Sequence, residues 1–396
     1  MRGARRALAP LAVLALLAAT GTAPATAAAG SAAGPPPAGF FGVVPQGPLS
    51  ASDLRRMGEA VETLRLPVLW SSCEPRRGEF DFSATDAVLA AAAERGIRVM
   101  PVLYGTPSWL SRDEARPPLA PAALSAWKGF LRRLVRRYGP GGGLWRGAGR
   151  AEPVRRWQIW NEPNFRLFWE PRISPRGYAR LLGASAAAIR AADPEAQIVL
   201  AGVAPVGAGM KTWVFLRRLL RVPGALRHFD IAALHPYAAS VAQMDYQVTR
   251  VRAAMAAGGA GRRPLIVSEI GVASHGLPPS AFVKGRLGQA EFLEAAFARL
   301  LAMRQRWRIA GVDWFAWADE AAPDPHCSFC QGAGLFDLDG RPKPAWSAYR
   351  GVVARAAAGL PPSAMASRPS WRETSGRSNR LTAQLRVGLS SRSSSS

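Results

Sequence analysis

The sequence predicts an α/β protein, a single (β/α)8 barrel, and two observations carry that expectation. Eight short apolar runs recur along the chain, at residues 40–45, 63–70, 97–104, 156–160, 197–202, 230–235, 265–269 and 311–317. Between them lie segments whose apolar residues fall three and four apart, the helical period, as at 121–138, 175–192 and 288–305. Strands apolar at successive positions are buried on both faces, and strands separated by helices pair in parallel. A doubly wound open sheet is the competing architecture, but a count of eight favours closure. No internal repeat is visible, so the units share a pattern rather than a sequence.

The ends of the chain read differently from its middle. Met1-Arg2-Gly3-Ala4-Arg5-Arg6 is basic, the stretch from Ala7 to Ala19 is apolar, and Ala25-Thr26-Ala27 is a small-residue cleavage signal. Residues 1–27 are therefore expected to be a signal peptide, and 28–38 a flexible Ala/Gly/Pro leader. No later run approaches the ~20 apolar residues that span a bilayer, so no transmembrane anchor is expected. Residues 39–360 form one continuous domain without a linker. From Pro361 the apolar periodicity stops, and the Ser/Arg-rich stretch 361–396 is expected to be a disordered basic tail. The Gly-rich run Gly139-Pro140-Gly141-Gly142-Gly143 follows a helix, leads to a strand and contains no lysine, so it reads as a helix-terminating loop and not a phosphate cradle.

Composition narrows the function classes. The chain has 396 residues, 48% of them hydrophobic, enough for a large core, and a formal net charge of +24. Only four basic residues are lysines (Lys128, Lys211, Lys284 and Lys343), so arginine carries the charge. A basic surface could draw the protein to anionic cell-wall polymer. No helix-turn-helix, zinc-finger or RNA-binding signature accompanies it, so no specific nucleic-acid partner is expected. An exported chain with three cysteines, Cys73, Cys327 and Cys330, predicts one disulfide and one free thiol. Cys327 could pair with Cys330, or either could reach Cys73. His326 with Cys327 and Cys330 lacks a second ligand pair at structural-zinc spacing, so no metal is expected. Nothing signals a nicotinamide, flavin or pyridoxal cofactor, and a monomer is expected.

Barrel enzymes place chemistry at the C-terminal ends of their strands. The fourth run, Trp157-Gln158-Ile159-Trp160, ends in Asn161-Glu162-Pro163-Asn164, and the seventh, Leu265-Ile266-Val267-Ser268, ends in Glu269-Ile270-Gly271. Strands four and seven face each other across a barrel of eight, so two glutamates there can flank one bond. That arrangement suits glycoside hydrolysis, in which one carboxyl protonates the leaving oxygen while the other attacks the anomeric carbon. The plain alternative is that each glutamate pairs with an arginine for structural reasons.

These two motifs resemble the acid/base and nucleophile motifs of glycoside hydrolase clan A, whose members are retaining (β/α)8 enzymes. The resemblance runs over about 40–358 and is closest to the family 39 and family 5 branches, which include β-xylosidases and cellulase-like enzymes. It implies Glu162 as acid/base and Glu269 as nucleophile. It further implies that Arg65 and Tyr237 support Glu269, that Asn161 binds the sugar 2-hydroxyl, that His235 belongs to the site, and that Trp317 forms the aromatic floor. Trp70, Trp109, Phe165 and Trp169 are candidate stacking platforms. One departure stands out: where many cellulase-like relatives carry a histidine after strand three, this chain has Tyr104-Gly105-Thr106-Pro107. The expected activity is that of a secreted retaining O-glycosidase. A catalytically silent carbohydrate-binding barrel and a cell-wall-associated structural protein are the alternatives, and turnover of aryl glycosides separates them.

Overall fold

The computed structural model describes residues 34–205, 209–324 and 326–360. The expected signal peptide, the first part of the leader and the basic tail lie outside the described residues. Eight parallel strands form the barrel: β1 Phe41–Val44, β2 Thr63–Leu69, β3 Arg98–Tyr104, β4 Arg156–Ile159, β5 Gln197–Leu200, β6 Ala232–Leu234, β7 Leu265–Ile270 and β8 Ile309–Phe315. They pair in the order β5-β4-β3-β2-β1-β8-β7-β6. The remaining seam, between β5 and β6, is closed by the isolated parallel bridges Val199↔Ile231 and Val203↔Leu234.

The helices form the outer layer: α1 Ala51–Met57, α2 Trp70–Cys73, α3 Ser83–Ala93, α4 Pro121–Tyr138, α5 Pro175–Arg190, α6 Thr212–Leu220, α7 Val241–Ala257, α8 Gly285–Ala302, α9 Arg304–Trp307 and α10 Pro344–Ala357. Helix α4 shows why these segments coil. Pro121 sits at its first turn, where a missing N–H is harmless, and Trp127, Phe130, Leu131, Leu134 and Tyr138 form its buried stripe. Its end is the glycine run: Gly139 N donates to Val135 O at 2.8 Å. A Cβ on Gly142 would lie 2.4 Å from Arg137 O, which a side chain could not tolerate. Helix α5 is capped by Ser174, whose hydroxyl accepts from Gly177 N at 3.0 Å.

All eight expected strands are present, and two boundaries differ for a reason. The sixth begins at Ala232 because Asp230 is used as a side-chain cap. Its carboxylate accepts from Ile198 N at 2.8 Å and from the Arg190 guanidinium at 2.9 Å. The eighth ends at Phe315, and Trp317 is two residues past it. Of the expected leader, Gly34 O accepts from Arg304 at 2.6 Å and Ala38 O from Arg98 at 2.5 Å.

Beneath the site-bearing end of β4, buried Tyr178 on α5 ties two strands to the helix layer. Its hydroxyl donates to Ile159 O at 2.9 Å and accepts from Ala201 N at 2.7 Å. Tyr178→Phe is expected to lower stability by about 1–3 kcal/mol, because two buried backbone groups lose their partner. Chemical denaturation measures this; an unchanged midpoint would show that both groups find other partners.

Candidate active site

The backbone at the end of β4 is bent to present Glu162. Trp160 and Glu162 adopt left-handed φ values of 70° and 38°. For such residues this conformation costs on the order of 1–3 kcal/mol and persists only where the surroundings enforce it. Here they do. Trp160 N donates to Leu103 O at 2.8 Å and Glu162 N to Gly202 O at 3.1 Å. Asn164, fully buried, donates to Ala204 O at 2.7 Å and Met210 O at 2.9 Å, locking this turn to the loop after β5.

Glu269, the last residue but one of β7, meets Arg65 and Tyr237. Arg65 Nη1 donates to Glu269 Oε1 at 2.5 Å, and the Tyr237 hydroxyl donates to Oε2 at 2.6 Å. The same guanidinium donates to Asn161 Oδ1 at 2.9 Å and to Gln158 Oε1 at 2.6 Å. His235 stands between the glutamates, its Nδ1 at 2.7 Å from Glu162 Oε1 and 3.4 Å from Glu269 Oε2. Ligand atoms of the three residues all lie within 4.8 Å of one another. Three such atoms could in principle hold a cation, but the Arg65 guanidinium against Glu269 opposes a second positive charge there.

Burial acts strongly on the Glu162 carboxyl. It raises Glu162 well above the usual carboxylate range; the nearby Glu269 charge adds to the rise, and Arg65 opposes it. Burial and Arg65 both hold the His235 imidazole neutral, well below its ordinary value. A neutral imidazole beside a carboxyl of raised pKa means that one proton serves the His235–Glu162 contact. Burial also keeps Tyr237 protonated as a donor, with the Glu269 charge acting in the same direction.

Six of the seven expected site residues converge: Glu162, Glu269, Arg65, Asn161, His235 and Tyr237. Trp317 does not, and this corrects the expected aromatic floor. Its indole donates to Asp53 Oδ1 on α1 at 3.0 Å and packs on Phe336 and Trp346, with ring centroids 4.5 and 5.4 Å away. Because β8 ends two residues earlier, Phe315 takes the position beside the site, 5.9 Å from the Tyr237 ring. Of the four candidate platforms, Trp70 and Trp169 are buried, whereas Trp109 and Phe165 remain partly exposed. Tyr104, at the strand-three position where the histidine is missing, is pushed up to about 12, chiefly by burial, and feels Arg65 and both glutamates.

Three residues of the site were not singled out by sequence reasoning. Gln158 and Asp313 are polar residues inside apolar strands, the one signal that could have found them. Gln158 orients Arg65 and donates to Leu200 O at 2.9 Å. Asp313, pushed up to about 8 by burial, lies in the barrel beside Gly42, where a Cβ would fall 1.9 Å from Asp313 Oδ1. Phe315 carried the same aromatic signal as Trp317 and lost to it by two positions.

No family model matches the sequence, and no curated protein does. Solved structures do match. They include a family 39 glycoside hydrolase from the gut symbiont Bacteroides cellulosilyticus, at 19% identity and TM-score 0.60, over 81% of this chain and 64% of that one. A GH39 β-xylosidase from Caulobacter crescentus matches at 21% identity and TM-score 0.61, over 82% of this chain and 73% of that one. A GH5_18 variant from Streptomyces cattleya, in complex with Manβ1-4GlcNAc, matches at 20% identity and TM-score 0.60, over 82% of each chain. This chain thus spans less than two thirds of the first of these proteins. At such identities the likeness is one of fold: the chain is a (β/α)8 barrel of the kind these hydrolases use.

The raised Glu162 has a consequence for stability. Above its unfolded value of about 4.3, the folded protein keeps a proton that the unfolded chain releases, so stability falls as pH rises towards the folded value. His235, lowered by burial, works in the opposite sense, but only below about pH 6.5. Glu162→Gln is therefore expected to melt at progressively higher temperature relative to the wild type as pH is raised above the unfolded carboxylate value of about 4.3. A melting-temperature difference that stays constant from about pH 4.3 upward would place Glu162 in the ordinary carboxylate range.

Proposed function

We propose that the protein is a retaining O-glycoside hydrolase, with Glu162 as acid/base and Glu269 as nucleophile. The observation that carries this reading is the closeness of the two carboxyls, both within 4.8 Å of His235 and of each other. Retaining enzymes separate their carboxyls by roughly 5–5.5 Å, whereas inverting ones need roughly 6.5–9.5 Å to admit a water. The fold-level neighbours, named as a β-xylosidase and family 39 and family 5 proteins, support the same class.

In the first half-reaction Glu162 gives its proton to the glycosidic oxygen. A Glu269 oxygen bonds to the anomeric carbon as the bond to the leaving oxygen breaks. Arg65 and Tyr237 hold Glu269 in line for that attack and keep its two oxygens inequivalent. Asn161, anchored through its Oδ1 to Arg65, has its amide nitrogen for the sugar 2-hydroxyl. When the ester forms, the negative charge of Glu269 disappears. That charge is one of the causes raising Glu162, so Glu162 becomes more acidic after leaving-group departure. It can then serve as base, taking a proton from the water whose oxygen displaces Glu269 and releases the sugar with its original configuration.

We extend the proposal to export. The basic start, apolar stretch and A-x-A site support a signal peptide, and the Cys327–Cys330 disulfide suits an oxidising compartment. Among the described residues no helix is long and apolar enough to cross a membrane. Carbohydrate is the proposed partner, and the excess of arginine supports association with anionic polymer through the 361–396 tail.

The test begins with an aryl β-glycoside panel led by xylosides and mannosides, followed by product NMR on the wild type. Retention is expected; an initially inverted anomer overturns the mechanism, and no turnover leaves the silent barrel. Glu269→Ala is expected to abolish turnover, with azide restoring it as a glycosyl azide of inverted configuration. Glu162→Ala should slow poor leaving groups by about 10²–10⁴-fold while sparing activated phenols, since these need little protonation. Equal loss on both kinds of substrate would assign the acid elsewhere.

A further inference from the structure

The Tyr237 ring is held by an apparatus that the mechanism above does not use. Phe329 lies against it with ring centroids 5.2 Å apart, Phe315 flanks it at 5.9 Å, and Phe282 stacks on Phe329 at 4.9 Å. Phe329 belongs to Cys327-Ser328-Phe329-Cys330, in which the two cysteines are disulfide-bonded. The entropy a disulfide removes from the unfolded chain grows with loop length, so a bond spanning three positions acts mainly on its own loop. That loop is pinned from both sides. Gln46 Nε2 donates to Cys330 O at 2.9 Å, and Leu277 N donates to Ser328 O at 2.8 Å. Gly276 packs so closely that a Cβ there would lie 2.4 Å from Ser328 O.

We propose that Phe329, presented by the Cys327–Cys330 loop, is a positioning residue that keeps the Tyr237 hydroxyl on Glu269. The proposal rests on the hydrolase reading and adds to it a residue that acts through Tyr237. A tyrosine turns about two side-chain torsions, and Tyr237 is only partly buried, so its hydrogen bond to Glu269 Oε2 needs the ring clamped. Phe315 and Phe329 supply the clamp. Phe315 is held by β8 itself, whereas Phe329 comes from a loop whose shape depends on the disulfide. If Phe329 is lost, the ring relaxes, Glu269 keeps the Arg65 hydrogen bond and the longer His235 contact at 3.4 Å, and its carboxylate is less firmly held. A misplacement of about 1 Å can cost up to about 100-fold in rate.

The experiment is a double-mutant cycle in the full chain, reading kcat and KM on the best aryl glycoside. Phe329→Ala should lower kcat by about 10- to 100-fold with little change in KM. The same substitution in a Tyr237→Phe background should change kcat by less than about twofold, because the hydroxyl it serves is gone. Phe329→Leu should recover most of the loss, and Cys327→Ser with Cys330→Ser should shift kcat in the same direction as Phe329→Ala. If Phe329→Ala does not fold, the cysteine pair carries the same cycle. Effects that add across the two sites overturn the proposal. A rise in KM with unchanged kcat also overturns it, by making Phe329 a sugar-stacking platform. A wild type that turns over no glycoside removes the hydrolase reading and this inference together, whereas an active wild type with an additive cycle removes this inference alone.

Discussion

The buried contact between Arg65 and Glu269 is the constraint on which the rest of the site depends. Arg65 is 1% exposed, between Leu64 and Leu66 on a strand, where an uncompensated charge would be strongly destabilising. Its fork is satisfied by Glu269, Asn161 and Gln158, each from a different position in the barrel wall. The guanidinium also opposes the rise that burial imposes on Glu162 and Asp313, yet touches neither. One cation shared among three carboxyls can be in contact with only some of them. The orientation of a single side chain therefore distinguishes the two glutamates. Glu269 has the charged partner, and Glu162 has a neutral imidazole and a proton.

The rim on the Glu269 side is braced by polar groups withdrawn from solvent. Lys343, buried at the start of α10, donates to Asp319 Oδ1 at 2.6 Å, to Ser274 Oγ at 2.9 Å and to Gly332 O at 3.1 Å. Burial lowers Lys343 and raises Asp319, and each partly offsets the shift of the other. Gln289 Nε2 adds bonds to Val272 O and Ala333 O, both at 3.1 Å. Together they join the loops after β7 and β8 to the helices behind them. That bracing makes a loop as short as Cys327–Cys330 stiff enough to carry an aromatic side chain against Tyr237.

The barrel was legible because its strands are buried on both faces, which leaves an unambiguous apolar signature, and because α4 runs over the stretch its period indicated. The two glutamates were legible for a related reason: a carboxylate directly after an apolar run stands at a strand end. Trp317 shows the limit. Phe315 and Trp317 are both aromatic, sit two positions apart and would share a face if the strand continued. Only the end of β8 decides between them, and Trp317 N already donates to Val44 O at 2.9 Å as the chain turns away. Gln158 and Asp313 were hidden differently. A polar residue in a buried strand announces that something must satisfy it, but not what. Cysteine pairing depended on the path of the loop after β8, which no local pattern encodes.

The weakest seam of the barrel lies beside Glu162. Between β5 and β6 the pairing is reduced to bridges, and His235 N donates to Val203 O at 3.0 Å as the chain leaves the sheet. The imidazole lies over Gly202, where any Cβ would come within 1.9 Å of His235 Nε2. Gly202 O at the same time accepts from Glu162 N, so one residue without a side chain serves both partners of the proton-sharing contact. A side chain at 202 would push the ring out and leave Glu162 without the neighbour that shares its proton. Packing of His235 against bare backbone leaves Nε2 buried and unpartnered, a penalty that burying the ring imposes. The bare backbone at Gly202 is thus what lets a neutral imidazole lie between two carboxyls.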